Sequence, residues 1–299
     1  MAALEEFSAS ELLVGPAQST VAAEDLLRRG TAPVGSDLAM PRAMIVVAHA
    51  DDETIALGAR IERFYEAHFI HVTDGAPRNE QDSRAHGFRS LDDYRRARVH
   101  ELAGMFGEAG LNWGSRVCLD FPDQEASLNL SGITRQVAQQ IADHQPEIIF
   151  THPYEGGHPD HDACAFAVHH AVDLNRLSGG ARPLILEAPF YHAGPDGFEA
   201  GTFLRRDGWM PEMFYELSEA EKKRKHKLVG HFATQRETLK NFHDTTERFR
   251  IAPVYDFTMP AHEGKLLYEH YPWGMTSERF CRLSQQAEAE LHDEAGEQA

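Results

Sequence analysis

Apolar residues in this chain gather in short runs, separated by longer stretches that are apolar on one side only. Ala43-Met44-Ile45-Val46-Val47 is the clearest run, with Ala48 closing it. Phe69–Thr73, Arg116–Leu119, Glu147–Thr151 and Leu184–Ala188 are similarly short, four or five residues each, and mostly apolar. Such segments predict strands. Between them, 53–67, 92–109, 132–144 and 160–175 carry helical periodicity. Repeated strand–helix units predict an α/β fold, a Rossmann-like, doubly wound, mostly parallel sheet with helices on both faces.

The pattern changes at Pro189. Glu199–Arg206 and Met213–Leu217 read as short antiparallel strands. Ser218-Glu219-Ala220-Glu221 opens a helix with a capping box. That helix is expected to end near Phe232, with a second over Gln235–Phe242. Residues 249–275 are rich in aromatics, Pro and Gly and read as irregular, and a last helix runs from Thr276 to about His292. The expected organisation is an N-terminal extension over 1–40 with one helix, then a single domain over 41–299. Its core is 43–188, and 189–299 form an antiparallel and helical elaboration.

Two turns carry the candidate chemistry. The first strand runs into Ala48-His49-Ala50-Asp51-Asp52-Glu53 at a helix start. The fourth runs through a glycine loop into Gly157-His158-Pro159-Asp160-His161-Asp162. In a sheet of order 3-2-1-4-5 the first and fourth strands are neighbours, and ligands bind outside their carboxyl ends. His nitrogen with carboxylate oxygen is the donor set of a catalytic zinc site. The tight first turn can aim His49 and Asp52 at one point and leaves Asp51 to reach the water that a metal activates. Helix capping alone accounts for acids at a helix start, and Pro159 suits a first turn. Capping does not account for His158 and His161, three residues apart on one side of the turn. One can bind metal while the other donates a proton, and spacing does not decide which. The residues themselves support metal-assisted hydrolysis in a cleft.

Composition narrows the partners. A net charge of −18 disfavours nucleic acid and anionic membrane. The longest apolar runs have strand length, so no membrane span is expected. The acidic start of the chain has no signal-like apolar region, and three widely spaced cysteines suggest a reducing compartment. The expected location is cytoplasmic, and a homo-oligomer stays open. The basic run Lys222–Lys227 reads as a solvated helix face. The turn after the first strand lacks the Gly-rich fingerprint of a dinucleotide site.

At the two turns the chain resembles the PIG-L/LmbE family of zinc-dependent N-deacetylases. The family carries Ala-His-Pro-Asp-Asp-Glu after its first strand; here Ala50 stands where proline is usual, a change that removes no ligand. The second element, Gly157-His158-Pro159-Asp160-His161, is intact. Thr73-Asp74-Gly75, Arg98-Val99-His100-Glu101 and Leu119-Asp120-Phe121-Pro122-Asp123 are also family-like. The resemblance covers roughly 43–188. It implies one Zn2+ per chain held by His49, Asp52 and His161, with Asp51 as general base. It implies His158 as the group that stabilises the oxyanion or protonates the leaving amine, and a histidinium there would do so by its charge. It implies an N-acetylglucosamine-type substrate; the nearest alternative is an amidase on another small N-acyl compound such as a thiol conjugate or natural-product precursor. A sugar-binding protein that kept the fold and lost catalysis is the rival of a different class. Thr73, Asp74, Arg98, Asp123 and Tyr154 are candidates for substrate contact, with His152 and Trp273 near the mouth.

Overall fold

The structure is a computed structural model that describes residues 18–195, 197–205, 211–242 and 245–297. Its elements run α1 (Gln18–Gly30), β1 (Ala43–Val47), α2 (Asp52–Leu57), β2 (His68–Thr73), α3 (Gln81–Ala85), α4 (Leu91–Ala109), β3 (Arg116–Phe121), α5 (Leu130–His144), β4 (Ile148–Thr151) and α6 (Pro159–Leu177). They continue through β5 (Leu184–Glu187), β6 (Tyr191–Gly194), β7 (Gly197–Ala200), β8 (Glu212–Glu216), α7 (Glu219–Val229), α8 (Arg236–Leu239), β9 (Thr246–Ile251) and α9 (Ser277–Glu297).

Seven strands form one sheet in the order β3-β2-β1-β4-β5-β9-β8. The first five pair in parallel, while β9 pairs antiparallel with β5 and with β8. This is the expected mostly parallel, doubly wound sheet with a C-terminal antiparallel and helical addition. All five residues of β1 and all four of β4 are buried, because helices cover both faces. Met44, Val46, Ile70 and Ile149 meet Ile133, Val137 and Phe166 of α5 and α6 in one core cluster. Ile45, Phe69 and Phe150 meet Leu57, Phe106 and Leu228 of α2, α4 and α7 in the other.

Several boundaries differ from expectation. The helix expected over 53–67 stops at Leu57, and Ile61–Phe64 form a 3-10 turn. A Cβ at Gly58 would meet the Lys225 side chain at 2.9 Å, so α7 crosses close to that point. β9 lies partly in the stretch read as irregular. Its charged residues conceal it: Glu247 and Arg250 are buried, Glu247 with Arg60 and Lys225, Arg250 with Glu187 and Glu155. The strand expected over Glu199–Arg206 is the short β7, paired with β6 in a separate hairpin; Arg206 lies outside the described residues. The capping box at Ser218 is present. The basic run it opens is not a bare solvated face, since Lys225 is buried against Glu247 while Arg224 pairs with Glu62 and Lys227 with Glu108. Among the described residues no helix is long and apolar enough to cross a membrane.

Candidate metal centre

β1 and β4 are adjacent, so the turns that follow them meet at one end of the sheet. There, donor atoms of His49, Asp52 and His161 lie within 4.8 Å of one another, a grouping able to hold a metal ion. His49 Nδ1 is 3.4 Å from Asp52 Oδ2, and His161 Nε2 is 3.4 Å from Asp52 Oδ1. Burial pushes the His161 ring down to about 3, with the neighbouring His152 ring adding to it. Neutral imidazole is the form that binds metal. Burial would raise Asp52, but the His161 and His152 rings outweigh it and hold the carboxyl well below its ordinary value. Burial would lower the His49 ring, but Asp123, with Asp160 and Asp52, outweighs it and raises the ring well above its ordinary value, so a metal bound there displaces a proton. Two imidazoles and one carboxylate fit a borderline-soft divalent ion.

The other edge of His49 faces carboxylates. Its Nε2 is 3.3 Å from Asp123 Oδ1 and 3.3 Å from Asp160 Oδ2. A carboxylate behind a ligand histidine fixes the tautomer and leaves the opposite nitrogen free for the metal. Asp160, which sequence reasoning treated only as helix-terminal charge, also accepts from Gln124 N at 2.6 Å and Ala126 N at 3.0 Å. It therefore ties the β3–α5 loop, with Asp123 on it, to the metal centre.

Asp51 sits at the N-cap of α2 with φ 142° and makes no side-chain capping bond. Such a φ is costly for a residue other than glycine. The strain turns its carboxylate away from the helix and into a cavity of about 580 Å³, which His49, Asp52, His158 and His161 also line. Burial raises the Asp51 carboxyl to about 8, with Arg98 opposing and Asp52 assisting. Arg98 is buried, 3.5 Å from Asp51 Oδ2, and donates to the Ala50 carbonyl at 2.9 Å.

His158 corrects a premise of the sequence reading. It is itself the N-cap of α6, its Nδ1 accepting from Asp160 N at 3.1 Å. Burial pushes its ring down to about 3 with Asp160 opposing, which favours the neutral form over the expected histidinium. With Nδ1 used as acceptor, the neutral ring carries its hydrogen on Nε2.

The proposed substrate contacts divide. Asp123 and Arg98 line the cavity. Thr73 does not; its hydroxyl donates to the Ala48 carbonyl. Nor does Asp74, which accepts from Ala76 N and Asp123 N and pairs with Arg95 at 2.5 Å. Asp74 braces the turn at Asp123, and Thr73 braces the end of β1. Tyr154 is 2% exposed, packs on Phe257 and Phe280 and donates to the Met259 carbonyl. His152 lies behind the site, stacked on His161 at 3.9 Å. Trp273 does line the cavity, against His158. Sequence reasoning missed Tyr191 on β6, which lines the cavity and meets His161 at 5.3 Å. Gly157 explains how they come together: a Cβ there would sit 1.9 Å from the Tyr191 carbonyl oxygen, so only glycine lets hairpin and metal loop touch.

A strand-to-helix turn bearing His-x-Asp-Asp opposite a second bearing His-Pro-Asp-His defines a class, and comparison agrees. Residues 44–172 match the family model described as PIG-L: GlcNAc-PI de-N-acetylase, so over that stretch the chain matches a PIG-L/LmbE-like domain. Among solved structures, it is similar to the A40926 pseudoaglycone deacetylase Dbv21, with TM-score 0.54, 17% identity and coverage of 71% of this chain and 96% of that one. A deacetylase of the teicoplanin biosynthesis pathway, solved as a bog complex, gives 0.55 and 15%, covering 70% and 96%. The conserved protein TT1542 from Thermus thermophilus gives 0.51 and 18%, covering 72% and 95%. At these identities the structures attest the fold. The matched family and the His/Asp cluster together support deacetylase-type hydrolysis in general.

Proposed function

We propose that this chain is a zinc-dependent N-deacetylase that removes the acetyl group from an N-acetylglucosamine-type substrate. The observation that carries the reading is the convergence of His49, Asp52 and His161 on one point, with the strained Asp51 beside it. When bound, zinc would polarise the amide carbonyl and lower the pKa of water. His49, Asp52 and His161 are the residues to hold it. The carboxylates of Asp123 and Asp160 orient the His49 ring for that task. Asp51 takes the proton of water as it attacks the acyl carbon, and passes a proton to the leaving amine. Arg98 holds the Asp51 carboxylate in place and favours its charged form. His158 donates from Nε2 to the developing oxyanion, a preorganised dipole rather than a charge.

We read residues 41–299 as one catalytic domain, because β8 and β9 complete the sheet that β1 and β4 begin. Free Cys118, Cys164 and Cys281 fit a cytoplasmic enzyme. A second reading, an amidase on another small N-acyl compound, is favoured by the volume of the cavity, about 580 Å³, and its aromatic lining. A binding protein without catalysis would have no use for a strained, uncapped Asp51. The test is metal analysis of the purified protein together with acetate release from a panel of N-acetyl sugars and other N-acyl amines. About one zinc per chain with turnover of the sugars sustains the proposal. Turnover confined to non-sugar amides shifts it to the second reading, and no turnover of any amide removes both.

A further inference from the structure

Two ladders of rings wall the cavity. Each starts on a histidine of the metal centre and ends on a ring in solvent. His158 packs on Trp273 with ring centroids 4.5 Å apart, and Trp273 stacks on Tyr271 at 4.5 Å and 12°. His161 meets Tyr191, which stacks on Phe198 at 5.2 Å and 25°. The outer rings are well exposed, Tyr271 by 42% and Phe198 by 43%. All four rings line the cavity. An outward-running row of ring faces presents area to a ligand at little entropic cost.

The charge of the same lining is one-sided. Asp82 and Asp123 face the cavity together with the metal-centre acids. Asp82 is exposed and has no ion pair among the described residues. Partial burial and the charge of Asp123 raise its carboxyl, as two like charges facing one space must. Arg98 is the one Lys or Arg among the described lining residues, and its guanidinium is engaged by Asp51 and the Ala50 carbonyl. Outside the metal centre, a substrate anion meets Asp82 and Asp123 and no free Lys or Arg. A substrate cation meets carboxylates and ring faces, both of which attract it.

We propose that Tyr271, Trp273, Phe198 and Asp82 form a subsite for the part of the substrate beyond the scissile amide. It takes a flat aromatic or saccharide face without negative charge and prefers one bearing a protonated amine. The subsite rests on the N-deacetylase reading above and adds the substrate class to it.

The experiment uses three phenyl N-acetyl-β-glucosaminides that differ only at the para position: aminomethyl, hydroxymethyl or carboxylate. kcat/KM falls in that order, the cationic substrate exceeding the anionic by about tenfold at low ionic strength. In 1 M salt the ratio shrinks, because exposed charges are then screened within about 3 Å. Asp82→Asn brings the low-salt ratio toward one. Tyr271→Ala raises KM severalfold for all three and changes kcat less. Equal kcat/KM for the charged pair, or preference for the carboxylate, overturns the subsite. If none of the three is hydrolysed, the N-acetylglucosamine reading falls. Calorimetry with the three matching phenyl glucosides, which lack the amide, then decides the subsite by itself. Tighter binding of the aminomethyl compound sustains it; equal binding, tighter binding of the carboxylate or no measurable binding overturns it.

Discussion

The two halves of the cavity come from differently built parts of the chain. Its floor is held by the ends of β1 and β4, strands buried along their whole length. Its walls come from the β6–β7 hairpin, the α8 region and the loop before α9, which lie largely outside the sheet. The floor supplies nitrogen and oxygen donors at fixed positions, and the walls supply ring faces. Chemistry that needs atoms placed to a fraction of an ångström belongs on strand ends. Selection of what enters tolerates looser supports.

The largest effects should come from the floor. Asp52→Ala or His161→Ala removes a donor from a three-residue site. Zinc content should collapse, and activity should fall at least about 10³-fold, as losing several kcal/mol of transition-state stabilisation implies. Full zinc in either variant would show that the donors lie elsewhere, with His49, Asp123, His158 and Asp160, whose donor atoms also lie within 4.8 Å of one another, next in line.

Asp51→Asn should keep zinc and lower kcat by about 10²–10⁴, the usual scale of general acid–base help. It should also separate strain from stability. In metal-free protein the Asp51 pKa is raised from 3.8 to about 8. A raised pKa means that native protein holds the proton after unfolded protein has released it. The stabilisation is complete below the unfolded pKa and is lost as pH rises toward 8. Chelator-treated Asp51→Asn should therefore gain more in Tm over the native sequence at pH 8 than at pH 4. Equal gains at both values would assign the effect to backbone conformation alone.

His158→Ala should retain zinc and cost about 10²–10³ in kcat, the loss of one oxyanion donor. Because His158 is neutral, its removal should lower the pH–rate profile without changing its shape. His158→Gln, which keeps a neutral N–H donor, should recover part of the rate. A basic limb that disappears with His158 would restore the charged-imidazole mechanism.

The walls should give the smallest changes. Phe198→Ala should raise KM by roughly three- to tenfold, about 1 kcal/mol of stacking and contact area, and leave kcat nearly constant. A fall in kcat matching the rise in KM would mean that the wall also sets the geometry of the floor.

The same division governs what could be read from the residues alone. β1, β4 and their turns were legible because their apolar runs have one explanation and because His49, Asp51, Asp52, His158 and His161 are unusual residues in one short spacing. The class of sheet followed. Tyr191, Phe198 and Tyr271 were not legible as walls. An aromatic residue in an irregular stretch has the same local signature whether it fills a core, as Tyr154 and Phe257 do, or faces a ligand. β9 was obscured differently: its Glu247 and Arg250 look like surface charges until their buried partners are in place. The cap made by His158 escaped because capping is ordinarily read from Ser, Thr, Asp or Asn.

Gly157 has a consequence for how such a molecule can change its diet. Its α-carbon rests against the backbone of Tyr191, leaving no gap in which one segment can drift while the other stays. A hairpin borrowed from another chain brings its own preferred path. If that path runs outside the present one, the cavity loses a wall; if it runs inside, it pushes on the loop that carries His158 and His161. Recombination that trades substrates without damaging chemistry therefore has to inherit positions 157 and 191 as a pair, although 33 intervening residues, 158–190, separate them in the chain.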